Sequence, residues 1–215
     1  MEKTTIQTRN DLLGKHVVKA LESRHFEAYY CENDTEALEK VLSLIPDGSS
    51  VGWGGSMTLS EIGILDHIRA NTKLNVLDRD TVKDPAERKA LMKKILTCDV
   101  FLAGCNAISE DGQIVNVDGS GNRVSAIIYG PESVILVAGM NKIVKDQPAA
   151  LLRARNVAAP INSQRFPNQK TPCRETGVCA DCKSIDSICN TIVTFRGCRP
   201  ANRIKVVLVG ENHGF

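Results

Sequence analysis

Aromatic residues are scarce in this 215-residue chain: Phe, Trp and Tyr make up 4% of it, with a single tryptophan. A base-stacking platform for single-stranded nucleic acid needs more than that. Charge of one sign is equally lacking. The 27 Lys and Arg stand against 25 Asp and Glu for a net +2, too balanced for an electrostatic grip on nucleic acid or anionic lipid. No run of about 18 apolar residues occurs, so no segment is expected to span a membrane, and the charged N-terminus holds no apolar stretch of signal-peptide length. These absences point to a cytoplasmic protein with neither nucleic acid nor membrane as partner. In a reducing compartment its eight cysteines are poor disulfide formers and better suited to metal or redox chemistry.

What is present suffices for a core. With 42% hydrophobic and 24% charged residues, the chain reads as one α/β domain over 1–215. Apolar positions between residues 10 and 30 have helical spacing. Asn33 with Glu36 suggests a capping box for a second helix, and Pro46-Asp47-Gly48 ends it. SVGWGGSMTLSEIGILDHI reads as strand, glycine turn and a helix opened by Thr58. Leu74 to Leu77 reads as a strand, DPAERKALMKKIL as an exposed helix, and Val100 to Ala103 as a buried strand. Asp111-Gly112 signals a hairpin turn. The runs Ala126 to Tyr129 and Ser133 to Val137 read as buried strands, Gln147 to Val157 as a helix and Ile204 to Val209 as a last strand. Such alternation predicts a mainly parallel, Rossmann-like sheet with helices on both faces.

Residues 160–200 break the pattern, with five of the eight cysteines, four prolines and few periodic apolar positions. They read as a loop-rich insertion before the last strand whose apolar content could not fold it alone, so something else must hold it, a metal rather than unligated thiols or a disulfide pair. Cys173-x5-Cys179-x2-Cys182-x6-Cys189 places four thiols within 17 residues, and thiolates suit iron or zinc. Structural zinc sites usually pair two short chelating units, whereas only Cys179 and Cys182 form one here, which favours an iron–sulfur cluster, 4Fe-4S by ligand number. Zinc is the alternative. Cys198 is the substitute ligand if one of the four is not used, and Cys31, Cys98 and Cys105 read as core residues.

Two glycine-rich loops offer a binding site. Gly52-Trp53-Gly54-Gly55-Ser56-Met57-Thr58 lies between a strand and a helix, where free N–H groups favour a carboxylate or phosphate; it matches neither a P-loop nor a dinucleotide fingerprint. A tight turn with a capped helix explains it equally well. Gly104 and Asn106 follow another strand, and Asp118, Gly119, Gly121, Asn122 and Arg123 come soon after. In an open α/β sheet such loops meet in a crevice beyond the strands' carboxyl ends. The ligand-binding candidates are therefore Gly54, Gly55, Ser56, Thr58, Gly104, Asn106, Gly119, Gly121, Asn122 and Arg123. Arg123 is the expected cation, and Glu61 and Asp118 are the acid–base candidates. Arg153, Arg155, Asn156, Asn162 and Arg165 read as a solvated helix face, and the four histidines show no metal spacing.

GWGGSMTLSEIG, DVFLAGCNAISEDGQIVNVDGSGNRVSAIIYGP, RARNVAAPIN and TPCRETGVCADCKS together resemble the LUD-domain lactate-utilisation family, across nearly the whole chain. The resemblance is to stand-alone members with a cysteine-rich segment before the last strand. It implies a fold similar to CoA transferases and ribose-5-phosphate isomerase, and a place in the oxidation of L-lactate to pyruvate alongside iron–sulfur partner subunits. Three functions compete: an oxidoreductase component acting on a 2-hydroxy acid, an isomerase or CoA/acyl-transfer enzyme with a structural zinc site, and a non-catalytic ligand sensor.

Overall fold

The computed structural model describes residues 2–215. Strands in its first half are β1 (Glu27–Cys31), β2 (Ser50–Trp53), β3 (Asn75–Leu77), β4 (Val100–Gly104) and β5 (Ala107–Ser109). Those in the second are β6 (Ile114–Asp118), β7 (Ser133–Gly139), β8 (Ile143–Val144), β9 (Thr191–Phe195) and β10 (Ile204–Val209). The helices are α1 (Thr5–Glu22), α2 (Asp34–Ser43), α3 (Met57–Glu61), α4 (Ile64–Ala70), α5 (Pro85–Ile95) and α6 (Asn122–Ile128). After them come α7 (Gln147–Arg153), α8 (Ala159–Ser163) and α9 (Pro172–Thr176).

Six strands pair in parallel in the order β1-β10-β7-β4-β2-β3. A parallel sheet needs cover on both faces, and the strand sequences supply it. Along β7, Val134, Leu136 and Ala138 face a core shared with Val17 and Leu21 of α1, Ile95 of α5 and Ile127 of α6. The intervening Ile135 and Val137 face the other core, with Val41 of α2, Leu59 of α3 and Ile68 of α4. Each fully buried side chain of this size contributes roughly 1.5–3 kcal/mol. The chain leaves β2 toward the β3 edge and later returns through β4 toward β7, so the strand order reverses between β2 and β4. A crevice opens there, beyond the carboxyl ends.

A second sheet, β8-β5-β6-β9, stands over that end. Only two residues separate β4 from β5, and β5 pairs antiparallel with β6 across Asp111-Gly112. Ala107, Val115 and Val117 pack on Ala150, Ala154 and Ala159. α7 runs through a wider π-helical turn, Ala154–Ala158, into α8.

Four local expectations are corrected. The helix expected within residues 10–30 covers Thr5–Glu22, and Glu27–Cys31 is the edge strand β1, because its five residues pair with Lys205–Val209 of β10. Ala126–Ile128, expected as strand, belongs to α6; a short apolar run does not distinguish buried helix from buried strand. Ser56, not Thr58, caps α3, accepting the Leu59 N–H. The insertion also contains β9, whose partner is the whole of β6, from Ile114 opposite Phe195 to Asp118 opposite Thr191. A sheet partner supplied what local composition lacked.

Candidate functional site

The loops after β2, β4 and β6 meet at the crevice around a cavity of about 470 Å³. Gly55, Ser56, Gly104 and Asn106 line it, as do Asp118, Gly119, Asn122 and Arg123. Four other expected residues stand outside the lining. A side chain at Gly54 would begin 2.9 Å from Cγ of Arg123, so the missing Cβ lets that arginine cross the loop. Gly121 starts α6 with φ of +78°, a conformation that disfavours larger residues. Thr58 is buried and accepts a hydrogen bond from Lys142. Glu61 is turned to the C-terminal tail, where it accepts the Gly214 N–H at 2.8 Å and lies 3.4 Å from Nδ1 of His213.

Arg123 ties the carboxyl ends of β4 and β6 together by hydrogen bonds and packs against the loop after β2 at Gly54. Its Nη1 donates to the Gly104 carbonyl at 3.2 Å, and its Nη2 to the Val117 carbonyl at 2.6 Å and Asn106 Oδ1 at 3.1 Å. Its Nε faces Asp118 Oδ2 at 3.5 Å, and that same oxygen accepts the Val124 N–H at 3.3 Å. The expected cation and one expected acid–base carboxylate are thus engaged with each other and with backbone. Asn106 is fixed twice more, its Oδ1 accepting the Val117 N–H and its carbonyl accepting from Arg153.

Further cations reach the cavity from elements that were not singled out. Arg79, from the loop after β3, lies over the first glycine loop, with Nη2 3.1 Å from where a Gly55 side chain would begin. Its Nε is buried and has no hydrogen-bond partner, and burial lowers its pKa from the usual arginine value. Oδ1 of Asp80 stands 3.6 Å from that Nε, too far for a hydrogen bond, and 3.8 Å from Arg88, and all three residues line the cavity. Arg165 and Asn162, read from sequence as a solvated face, line it as well. Lys142 follows β7 in the short turn Met140–Lys142, is 3% exposed, and donates from Nζ to Thr58 Oγ1 at 3.0 Å. Burial pushes its pKa down to about 8, with Arg153 and Arg123 acting in the same direction and Cys105 and Glu61 against it. The available signal for Arg79 and Lys142 was their position just after a strand's carboxyl end; for Lys142 there was also a charge within VAGMNKIV.

The four clustered cysteines are half-buried, while Cys31, Cys98, Cys105 and Cys198 are buried. Cys173 lies in α9, its Sγ 3.5 Å from the hydroxyls of Ser163 and Thr171. Gly177, with φ of +75°, ends that helix, and Cys189 stands just before β9. Burial, and then the proximity of the other three thiols, raises the pKa of Cys189 to about 11. Among the described residues no three of the four sulfurs lie within 4.8 Å of one another. Cys198 is held away from them: its Sγ accepts the Ile204 N–H at 3.2 Å and lies 3.0 Å from the Pro200 carbonyl, inside the core of the main sheet. The cysteine segment borders the cavity at Ile188, which lines it and whose Cα is 3.2 Å from where a Gly119 side chain would begin.

A different group, Asp34, Glu211 and His213, brings possible ligand atoms within 4.8 Å of one another. His213 accounts for that grouping, since its ring is 2.6 Å from Asp34 and 3.9 Å from Glu211, and with Glu61 at 3.4 Å these contacts pin the tail whose last residue, Phe215, lines the cavity. No helix among the described residues is long and apolar enough to cross a membrane.

A search of curated proteins finds no match. Among solved structures, a DUF162-family protein from Deinococcus radiodurans is similar with a TM-score of 0.50 and 10% identity, over 94% of this chain and 97% of that one. Ribose 5-phosphate isomerase A from Methanocaldococcus jannaschii gives 0.34 at 16% identity, over 52% and 54%. The delta subunit of eIF2B from Chaetomium thermophilum gives 0.37 at 18%, over 66% and 55%. The family model for the LUD domain matches residues 14–209. The chain belongs to the LUD-domain family, which is associated with lactate utilisation.

Proposed function

We propose that the protein binds a small carboxylate or phosphate in the glycine-lined cavity and an iron–sulfur cluster at Cys173, Cys179, Cys182 and Cys189, as an oxidoreductase component in the oxidation of a 2-hydroxy acid such as L-lactate. The observation that carries the anion reading is the buried Nε of Arg79, which makes no hydrogen bond although Asp80 stands 3.6 Å away, on a guanidinium that lies against Gly55 in a cavity that also takes in Arg88 and Arg165. A buried guanidinium N–H without an acceptor is costly, and an anionic ligand relieves that cost with a charge-assisted bond. Arg123 and Asn106 hold the loops in place while Arg79 meets the ligand.

The donor set fits a cluster. Four half-buried thiols lie within 17 residues in a segment with little apolar content. Structural zinc sites usually combine two short chelating pairs, and only Cys179 and Cys182 form one here, which favours a multi-iron group. When bound, such a cluster supplies a one-electron acceptor. Its place beside the cavity wall at Ile188 supports a redox task over a purely structural one, with iron–sulfur partner subunits carrying electrons onward.

Anaerobic purification followed by metal analysis tests the cluster. Iron and acid-labile sulfide with a brown colour, both lost in Cys179→Ser, are expected. Stoichiometric zinc in a colourless protein overturns the redox role. For the cavity, lactate, pyruvate or inorganic phosphate should raise the melting temperature, and Arg79→Gln should remove the rise; the anion reading fails if none of the three has any effect.

A further inference from the structure

Lys142 has no task in the reading above. It lines the cavity at 3% exposure, with a single side-chain partner, the Thr58 hydroxyl at 3.0 Å. Among the described residues no carboxylate forms a direct ion pair with it, and Glu61 acts on it only from farther off. An ammonium shut away from water without a direct ion-pair partner is an expensive group to keep for packing alone, since an apolar side chain would fill the space at lower cost.

The charged groups that face it explain what it gains. Arg123 of α6 and Arg153 of α7 present like charges; Glu61 of α3 and the Cys105 thiol, between β4 and β5, present the opposing influences, and burial outweighs these. A lysine desolvated beside other cations holds an appreciable fraction of free amine near neutral pH, and a free amine is a nucleophile toward carbonyl carbon. The unsatisfied Arg79 guanidinium in the same cavity suits a carboxylate.

We propose that Lys142 Nζ condenses with the ketone carbon of a 2-oxo acid whose carboxylate lies against Arg79. The amine lone pair forms the C–N bond. The carbonyl oxygen departs as water, taking one proton from the amine and one from solvent, and a protonated imine remains. No electrons are exchanged in this step, so it needs no oxidant or reductant. The inference rests on the cavity being an anion site and narrows its ligand to the product class of 2-hydroxy acid oxidation.

The experiment uses the full chain, purified anaerobically and incubated with pyruvate with and without sodium cyanoborohydride, which reduces an imine to a stable amine. Intact-mass measurement and peptide mapping should find one pyruvate-derived adduct, on Lys142, only with the reductant. Labelling should be lost in Lys142→Arg and reduced in Arg79→Gln, which keeps the lysine and so guards against a misfolded Lys142 variant. No adduct on the wild-type protein, or adducts spread over exposed lysines, overturns the proposal. Melting temperatures with pyruvate and with inorganic phosphate separate the two failures: a rise without an adduct sinks the imine and leaves the anion site standing, whereas neither rise nor adduct sinks both.

Discussion

The cavity and the cysteine segment meet at Ile188, yet they are assembled in opposite ways. The cavity collects Gly55, Arg79, Asn106, Arg123, Lys142 and Arg165 from six separate stretches of chain at the ends of the main sheet, with hydrogen bonds fixing Asn106, Arg123 and Lys142. The cysteine segment draws its four thiols from 17 consecutive residues and rests on few buried apolar side chains. The first is shaped by the fold; the second, on the proposed reading, depends on its thiols finding a common partner. The two regions should therefore respond differently to substitution.

The largest effect is expected for Arg123→Ala. Four hydrogen bonds from one partly buried guanidinium link the carboxyl ends of β4 and β6, and losing them should cost about 3 kcal/mol, given roughly 1.5–3 kcal/mol for a hydrogen bond to a charged group and partial replacement by water. Urea denaturation measures the loss. Ligand-induced stabilisation should vanish while metal content is unchanged; a fall in metal content would erase the distinction between the two regions.

Lys142→Met tests the electrostatics of the cavity. The folded-state pKa of Lys142 is lowered to about 8 from 10.5, so the unfolded chain binds the proton more readily. Its burial cost is fully present below pH 8 and is relieved as pH rises toward 10.5, a gain of at most about 3 kcal/mol. Cys31 and Cys98, raised by burial to about 11 from 9.0, work in the opposite direction above pH 9. The difference between wild type and Lys142→Met, followed by denaturation from pH 7 to 10.5, isolates the lysine. A pH-independent difference would show that the ammonium is not buried in solution.

Glu61→Gln should matter least. It weakens the grip on the Gly214 N–H and on His213, worth about 1 kcal/mol, and should leave any ligand-induced melting shift intact. Loss of that shift would bring Glu61 back among the groups that meet ligand.

Much of the frame was legible in the sequence because it depends on local rules. β10 falls on Ile204–Val209 as its apolar run indicates, α5 opens at Pro85, and the Asn33 side chain accepts the Glu36 N–H at the start of α2. β1, α6 and β9 were not legible, because each owes its state to a partner distant in sequence: β1 to β10, β9 to β6, and α6 to the core beneath the main sheet. The same divide runs through the site. Glycine loops announce themselves locally, so the floor and walls of the cavity could be anticipated. Arg79 and Lys142 carry no motif and acquire meaning only when β3 and β7 are set beside β2 and β4. Cys198 shows the converse: spacing enrolled it as a spare ligand, and the packing around Ile204 removed it.

Ile188 gives the protein a point of leverage. It touches the Gly119 backbone on one side and is the residue before Cys189 on the other, so a displacement there is shared by both. If a metal group drawn in by Cys189 tightens that wall by some factor in anion affinity, the anion must tighten the hold on the metal group by the same factor, because the coupling free energy belongs to the pair and not to either site.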